Sequence, residues 1–226
     1  ATVTSIEGAI EASFLNNKIG FELAGYKKTT NDMLLLLPVQ GIFGMDAPRQ
    51  NAGQVQNTGF DLSIFHNNTV SKDFRYDINF NIAYVRNELT DLKGTEGKEP
   101  GDGRGNFWFL EGYPIGSYYG YEADGLFNSE EEVAKGPTRT GTEQPGDIRY
   151  KDLNGDGKID AANDRKVIGK EFPSWTAGLG ANLYYKDFDL SFFFQGAFDV
   201  DAYVNGEAAY AFFNGGKVLE RHLDRW

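Results

Sequence analysis

Residues 172–200, FPSWTAGLGANLYYKDFDLSFFFQGAFDV, constrain the fold more tightly than any other stretch of this chain. They read as two strands joined at Lys186 and Asp187, with Tyr185 opposite Phe188. That register places Leu183 opposite Leu190, Ala181 opposite Phe192, Leu179 opposite Phe194 and Trp175 opposite Phe198. The other face pairs Tyr184 with Asp189, Asn182 with Ser191 and Gly178 with Gln195. Side chains alternate across a strand, so one side of this hairpin is apolar and the other polar or small. Aromatics close the apolar side at both ends, Trp175 and Phe198 at one, Tyr185 and Phe188 at the other. At ~3.3 Å per residue and a ~40° tilt, the span from Trp175 to Tyr185 covers roughly 25 Å, the height of the lipid-facing band of an outer-membrane barrel. The hairpin is predicted to touch lipid with its outside.

The pattern recurs twice upstream. Asn16 and Asn17 make a two-residue turn plausible, because asparagine tolerates positive φ. Phe14 then faces Ile19, Ala12 faces Phe21 and Ile10 faces Leu23, while Glu11 opposes Glu22 on the polar side. Two opposed carboxylates are destabilising in a dry core and tolerable in a wet lumen. Between about Asn57 and Leu89 the alternation is cleanest. Phe74, Tyr76, Ile78, Phe80, Ile82 and Tyr84 share one face against Asp73, Arg75, Asp77, Asn79 and Asn81, and the partner strand offers Phe60, Leu62 and Ile64.

Hairpins are therefore expected at about 5–29, 57–90 and 172–200, with long loops at about 30–56, 91–171 and 201–226. Short and long connections alternate, so every short turn falls on one side of a meander. That is the plan of an outer-membrane barrel, with short periplasmic turns and long extracellular loops. Six strands cannot close a barrel, since about eight is the minimum. The expectation is all-β: an antiparallel up-and-down transmembrane barrel segment of about six strands, one piece of a larger wall. Phe193 is the irregularity. It points to the polar face opposite Gly180 and is expected to fill the space that glycine leaves.

Composition narrows the function. The 226 residues include 28 Gly and are 15% aromatic, which suits strands and turns. No apolar run reaches the ~18 residues of a transmembrane helix. A net charge of −11 argues against a nucleic-acid partner, which needs a basic face. With no cysteine there is no disulfide, thiolate metal site or cysteine nucleophile. His66 and His222 lack metal-binding spacing, no nucleophile elbow or phosphate loop is present, and the glycine-rich run 101–105 lacks the strand–helix context of a dinucleotide site. An enzyme is not expected. Ser129 is expected to cap a short helix opening at Glu130. The aromatics Phe107, Trp108, Phe109, Tyr113, Tyr118, Tyr119 and Tyr121 are expected mainly to pack the longest loop.

One motif points to a metal. Residues 152–160 match the first nine positions of a calcium loop, with Asp152, Asn154 and Asp156 turned inward, Gly157 at the bend, the Lys158 carbonyl next and Asp160 following. Ile159 anchors the loop to the packing behind it. Asn163 stands at the twelfth position, and Asp164, one residue later, is placed to supply the last carboxylate. The competing reading is an Asp/Asn/Gly-rich surface turn.

Several runs resemble the SusC/RagA-type TonB-dependent outer-membrane transporters. They are EGYPIGSYYGY at 111–121, DGLF at 124–127, GDIRYKDLNGDGKID at 146–160, DRKVIG at 164–169 and YKDFDLSFFFQG at 185–196. AGYKKTTNDMLL at 24–35 and NAGQVQNTG at 51–59 are similar too. The resemblance implies a barrel of about 22 strands with an internal plug. It also implies energy coupling through TonB, a SusD-like surface lipoprotein as lid, glycan or peptide cargo, and residence in the outer membrane in contact with its lipid. The chain would form part of the C-terminal half of that barrel, with plug, TonB box and closing strand elsewhere. The alternative from another class is a soluble calcium-dependent β-sandwich that binds carbohydrate.

Overall fold

The computed structural model describes residues 1–36, 49–93 and 107–223. The run 101–105 and the terminal residues 224–226 lie outside the described residues. Among the described residues eleven strands and one short α-helix follow in order, with three 3-10 turns after them: β1 (Thr2–Phe14), β2 (Ile19–Leu36), β3 (Arg49–Thr69), β4 (Phe74–Asp91), β5 (Phe107–Trp108), β6 (Ser117–Tyr121), β7 (Ala123–Leu126), α1 (Glu130–Lys135), β8 (Ile148–Tyr150), β9 (Arg165–Lys170), β10 (Trp175–Tyr185) and β11 (Phe188–Phe198). Two compact units result, residues 1–117 with 170–200 and residues 118–169 with 201–226.

The first unit is built on one six-stranded antiparallel sheet in the order β1-β2-β3-β4-β10-β11. Every pairing is set by the two-residue period. In β10–β11, Tyr185 lies opposite Phe188 and Trp175 opposite Phe198. In β1–β2, Phe14 opposes Ile19 and Glu11 opposes Glu22. Apolar rows therefore cross the whole sheet. Ala12, Phe21, Ile64, Phe80, Leu179 and Phe194 stand side by side on one face. The adjacent row on the opposite face runs Glu11, Glu22, Ser63, Asn81, Gly178 and Gln195.

The apolar face is bordered by aromatic rows. Phe60, Tyr84 and Trp175 touch at the long-loop end, with centroids 4.6 Å apart for Tyr84 and Trp175 and 5.8 Å for Phe60 and Trp175. At the short-turn end Tyr76 contacts both His66 and Phe74. Between these borders the face is exposed; Leu190 keeps 59% of its accessible surface and Phe194 64%, and Phe188 in the border row keeps 78%. A sandwich would bury such residues. Exposed apolar surface of this extent is stable only against a non-aqueous neighbour.

Three details differ from the sequence reading. The β1–β2 connection is four residues, 15–18, with Leu15, Asn16 and Asn17 all at positive φ and the Lys18 amide donating to the Phe14 carbonyl at 3.1 Å. A two-residue turn would need Leu15 opposite Lys18, whereas the ladder ends at Phe14 and Ile19. Second, β2 and β3 continue past the aromatic row as far as Leu36 and from Arg49, where residues 30–56 were expected to be loop. A bulge near Asp32, at φ 58°, restarts the pairing after Thr30. Such a bulge breaks the alternation, which hides the continuation from a period-two reading. Third, Phe193 does not cover Gly180. A Cβ on Gly180 would lie 2.6 Å from the Asn79 amide oxygen, so Asn79 from the neighbouring strand occupies that space, and Phe193 stays 61% exposed.

Gly59 is the tightest close approach in the sheet. An added Cβ would sit 2.2 Å from the Tyr84 carbonyl oxygen and 2.7 Å from the Tyr26 hydroxyl, whereas Gly8 has nothing within 4 Å. Overpacking of this kind costs roughly 1–3 kcal/mol. Gly59→Ala is expected to lower the urea midpoint of the refolded barrel, followed by heat-modifiable gel migration, and Gly8→Ala is expected to leave it in place.

Candidate functional site

Two groups of loop residues concentrate the polar contacts, one in each unit. In the first, the segment 109–116 docks on the ends of β3 and β4. Val55, Leu89 and Leu92 form a buried cluster on the face opposite the aromatic row, with Met33, Phe109 and Ile115 packed against it. Hydrogen bonds fix the position. The Leu89 amide donates to the Tyr113 carbonyl at 2.9 Å, the Gly112 amide to the Leu89 carbonyl at 2.8 Å and the Ile115 amide to Asn87 Oδ1 at 2.8 Å. The Leu92 amide donates to Glu111 Oε1. Ser117 is fully buried and donates to the Pro114 carbonyl at 2.7 Å. The EGYPIGS run is thus a dock whose side chains and carbonyls satisfy strand ends, as buried polar groups must be.

The second unit carries the candidate metal loop. β7 pairs with β8, and β6 lies beside β9. Ser129 caps α1, its hydroxyl accepting the Glu132 amide at 3.2 Å. Tyr121 and Tyr150 are in ring contact at 5.4 Å, and the guanidinium groups of Arg139 and Arg165 lie over Tyr121 and Tyr119 at 5.1 and 5.2 Å. Of the loop aromatics Tyr118 is buried, Trp108, Phe109, Tyr119 and Tyr121 are half-buried and Tyr113 is 45% exposed, while the Phe107 side chain lies outside the described residues.

Within residues 152–164 the side chains fold back on their own turns. Asp152 accepts the amides of Gly155 at 2.6 Å and Gly157 at 2.7 Å. Asn154 accepts the Asp156 amide, and Asp156 the Lys158 amide. Asp160 accepts the Ala162 and Asn163 amides at 2.8 and 2.9 Å. Gly155 and Gly157 take φ of 77° and 80°, the left-handed values that such tight turns require. Asp164 is fully buried and bridges the loop, accepting the Leu153 amide at 2.9 Å and the Asp160 amide at 2.7 Å. Ile159 is buried, and its amide donates to the Thr138 carbonyl at 2.8 Å.

Electrostatics follow these bonds. The Gly157 amide holds Asp152 below the usual carboxylate range, and the Asn163 amide does the same for Asp160. Glu143 is pushed down to about 2, chiefly by the Thr140 amide, with the Arg139 amide on the same oxygen. Glu122 is lowered by its hydrogen bonds to Lys151, at 2.6 Å, and to Lys166. The oxygens of Asp152, Asn154, Asp156, Asp160 and the Lys158 carbonyl are hard donors of the kind calcium takes, and each retains a second lone pair. Among the described residues, no three His, Cys, Asp or Glu side chains are gathered as a ligand group. Asp164 is the residue whose part sequence spacing shows least. Its burial as the keystone of the loop depends on where Leu153 and Asp160 come to rest.

A lipid-facing antiparallel wall with docked loops at one end is a transmembrane β-barrel segment. No protein-family model matches the chain. It is 30% identical over 200 residues to TonB-dependent receptor P3 of Formosa agariphila, covering 86% of this chain and 20% of that protein. It is 30% identical over 231 residues to TonB-dependent receptor P26 of the same organism, covering 100% and 23%. TonB-dependent receptor SusC of Bacteroides thetaiotaomicron is 29% identical over 197 residues, 84% of this chain and 18% of that protein. Among solved structures, the RagAB peptide importer in its open-open state superposes with a TM-score of 0.71 at 24% identity, over 88% of this chain and 20% of that one. The chain belongs to the TonB-dependent receptors. It spans about a fifth of the length of the relatives it matches.

Two outcomes follow. Asp164→Ala removes the acceptor of two part-buried amides, at up to about 1–3 kcal/mol each, and is expected to open residues 152–164 to limited proteolysis while the sheet stays folded. Glu143 binds its proton more weakly in the folded loop than in the unfolded chain, where its ordinary value is 4.5. Its contribution is therefore complete above that value and is lost as pH falls toward about 2. The Thr140 amide resonance is expected to hold its folded position at pH 5 and to shift with a midpoint near that low value.

Proposed function

We propose that this chain is part of an outer-membrane importer energised through TonB, which takes up glycans or peptides together with a SusD-like surface lipoprotein. One observation carries the reading. A continuous apolar face lies between two aromatic rows and is backed by a polar face, so the wall suits lipid on one side and water on the other. The relatives support transport over catalysis: they are TonB-dependent receptors, and the solved neighbours are described as a peptide transporter and importer. In this reading Phe74, Tyr76, Ile78, Phe80, Phe192 and Phe194 face lipid, and the polar rows line the lumen. The loop at 152–164 is proposed to hold calcium through Asp152, Asn154, Asp156, the Lys158 carbonyl and Asp160, with Asp164 closing it. The metal would tie together turns that now rest on hydrogen bonds to their own amides. A soluble carbohydrate-binding sandwich is disfavoured by the exposure of Phe188 and Phe194.

The full-length receptor is expected to enter the detergent phase of a phase-separating extraction; recovery as a folded monomer in the aqueous phase would remove the membrane reading. Calcium calorimetry on the same protein is expected to show heat that Asp156→Ala abolishes, and equal heats from both would remove the metal reading.

A further inference from the structure

Charge is sorted between the two faces of the six-stranded wall. The inner face carries Glu7, Glu11, Glu22, Asp61, Asp77 and Asp189. On the outer face, the described paired positions hold two carboxylates, Glu88 and, past a bulge, Asp91 opposite Gln54. Lys28 and Arg75 share the inner face with these carboxylates, so it is the carboxylates that the two faces divide unevenly.

The outer cations sit at one height. Lys27 on β2 pairs with Thr58 on β3, and Thr58 pairs with Arg86 on β4. This row lies one pleat beyond the aromatic row of Phe60, Tyr84 and Trp175, on the side of the long loops. Two strand spacings of ~4.8 Å separate Lys27 from Arg86, within reach of two long side chains converging over one small group. All three side chains are exposed, that of Arg86 by 64%. Arg86 gives one nitrogen to Glu88 at 2.8 Å and keeps donors in its fork for another acceptor. The row beyond presents Thr4, Thr29 and Gln56, with neutral hydroxyl and amide groups, and ends at Glu88.

We propose that Lys27, Thr58 and Arg86 form a binding site on the outer wall for the phosphorylated headgroup of a lipid in the outward leaflet. The site rests on the membrane reading above. The aromatic row fixes the depth at which acyl chains end and headgroups begin. An ammonium, a hydroxyl and a guanidinium set just past that depth match a phosphate in charge and in donor geometry. Glu88 sets the limit: it leaves one net positive charge across the row, so the site suits a single phosphate better than an extended anionic surface.

The test is native mass spectrometry of the full-length receptor in detergent, with bisphosphorylated lipid A and with its dephosphorylated form added in turn. Wild-type protein is expected to retain the phosphorylated lipid and to release the dephosphorylated one. Lys27→Gln and Arg86→Gln are each expected to weaken retention about fivefold and together about thirtyfold, at the usual contribution per basic residue near an anionic surface. Lys28→Gln, on the same strand but facing inward, is expected to leave retention unchanged. Excess inorganic phosphate is expected not to compete; full competition would make the ligand a free anion and overturn the lipid assignment. Equal retention of the two lipids by wild type, or equal retention by wild type and the double variant, would overturn the site. If the receptor partitions into water, the membrane reading itself fails; if it stays with detergent while lipid retention is unaltered, only this site fails.

Discussion

Backbone pairing between neighbouring strands is the interaction on which the rest of this structure depends. In the hydrocarbon of a bilayer an unpaired N–H or C=O group costs several kcal/mol, so a wall that touches lipid must be hydrogen-bonded to its neighbours along its length. The ladder from β1 to β11 meets that demand with ordinary antiparallel pairs. The faces then follow from the pleat. With pairing fixed, every second residue points outward, and the row Ala12, Phe21, Ile64, Phe80, Leu179 and Phe194 becomes a continuous apolar band.

That arrangement changes how single residues are judged. Opposed carboxylates at Glu11 and Glu22 would be a fault in a protein core and are tolerable facing water. Small residues on the polar face have a purpose in packing. Asn79 and Asn81 lie over Gly180 and Gly178, and Phe65 lies over Gly20, so side chains of one strand fill the space their neighbours leave. Arg75 stacks over Tyr184 at 4.1 Å on the same face, a contact that neither strand shows alone.

The loops obey a different economy. Away from lipid, polar groups pair with whatever lies nearby, and short-range turns dominate. The loop at 152–164 satisfies amides with its own carboxylates, and Glu143 gathers the Arg139 and Thr140 amides on one oxygen. The anionic form of each carboxylate is thereby favoured. This local self-satisfaction explains why a loop so rich in aspartate can hold its shape.

Much was legible in the chain because its information is local. The two-residue period determined the faces of all three hairpins and the register of two, with Tyr185 against Phe188 and Phe14 against Ile19. Ser129 announced the start of α1 by its hydroxyl and position. The tertiary structure decided the rest. Residues 30–36 and 49–56 are strand because they pair with each other across a bulge and because Phe109 and Ile115 pack on Val55 and Leu89. Asn79, and not Phe193, fills the space over Gly180, since occupancy there depends on the neighbouring strand. Asp164 is buried because the chain returns two amides to it from either end of the loop. Alternation is a property of neighbours in sequence, whereas docking and burial are set by partners far along the chain, and the order of residues alone does not say which partners meet.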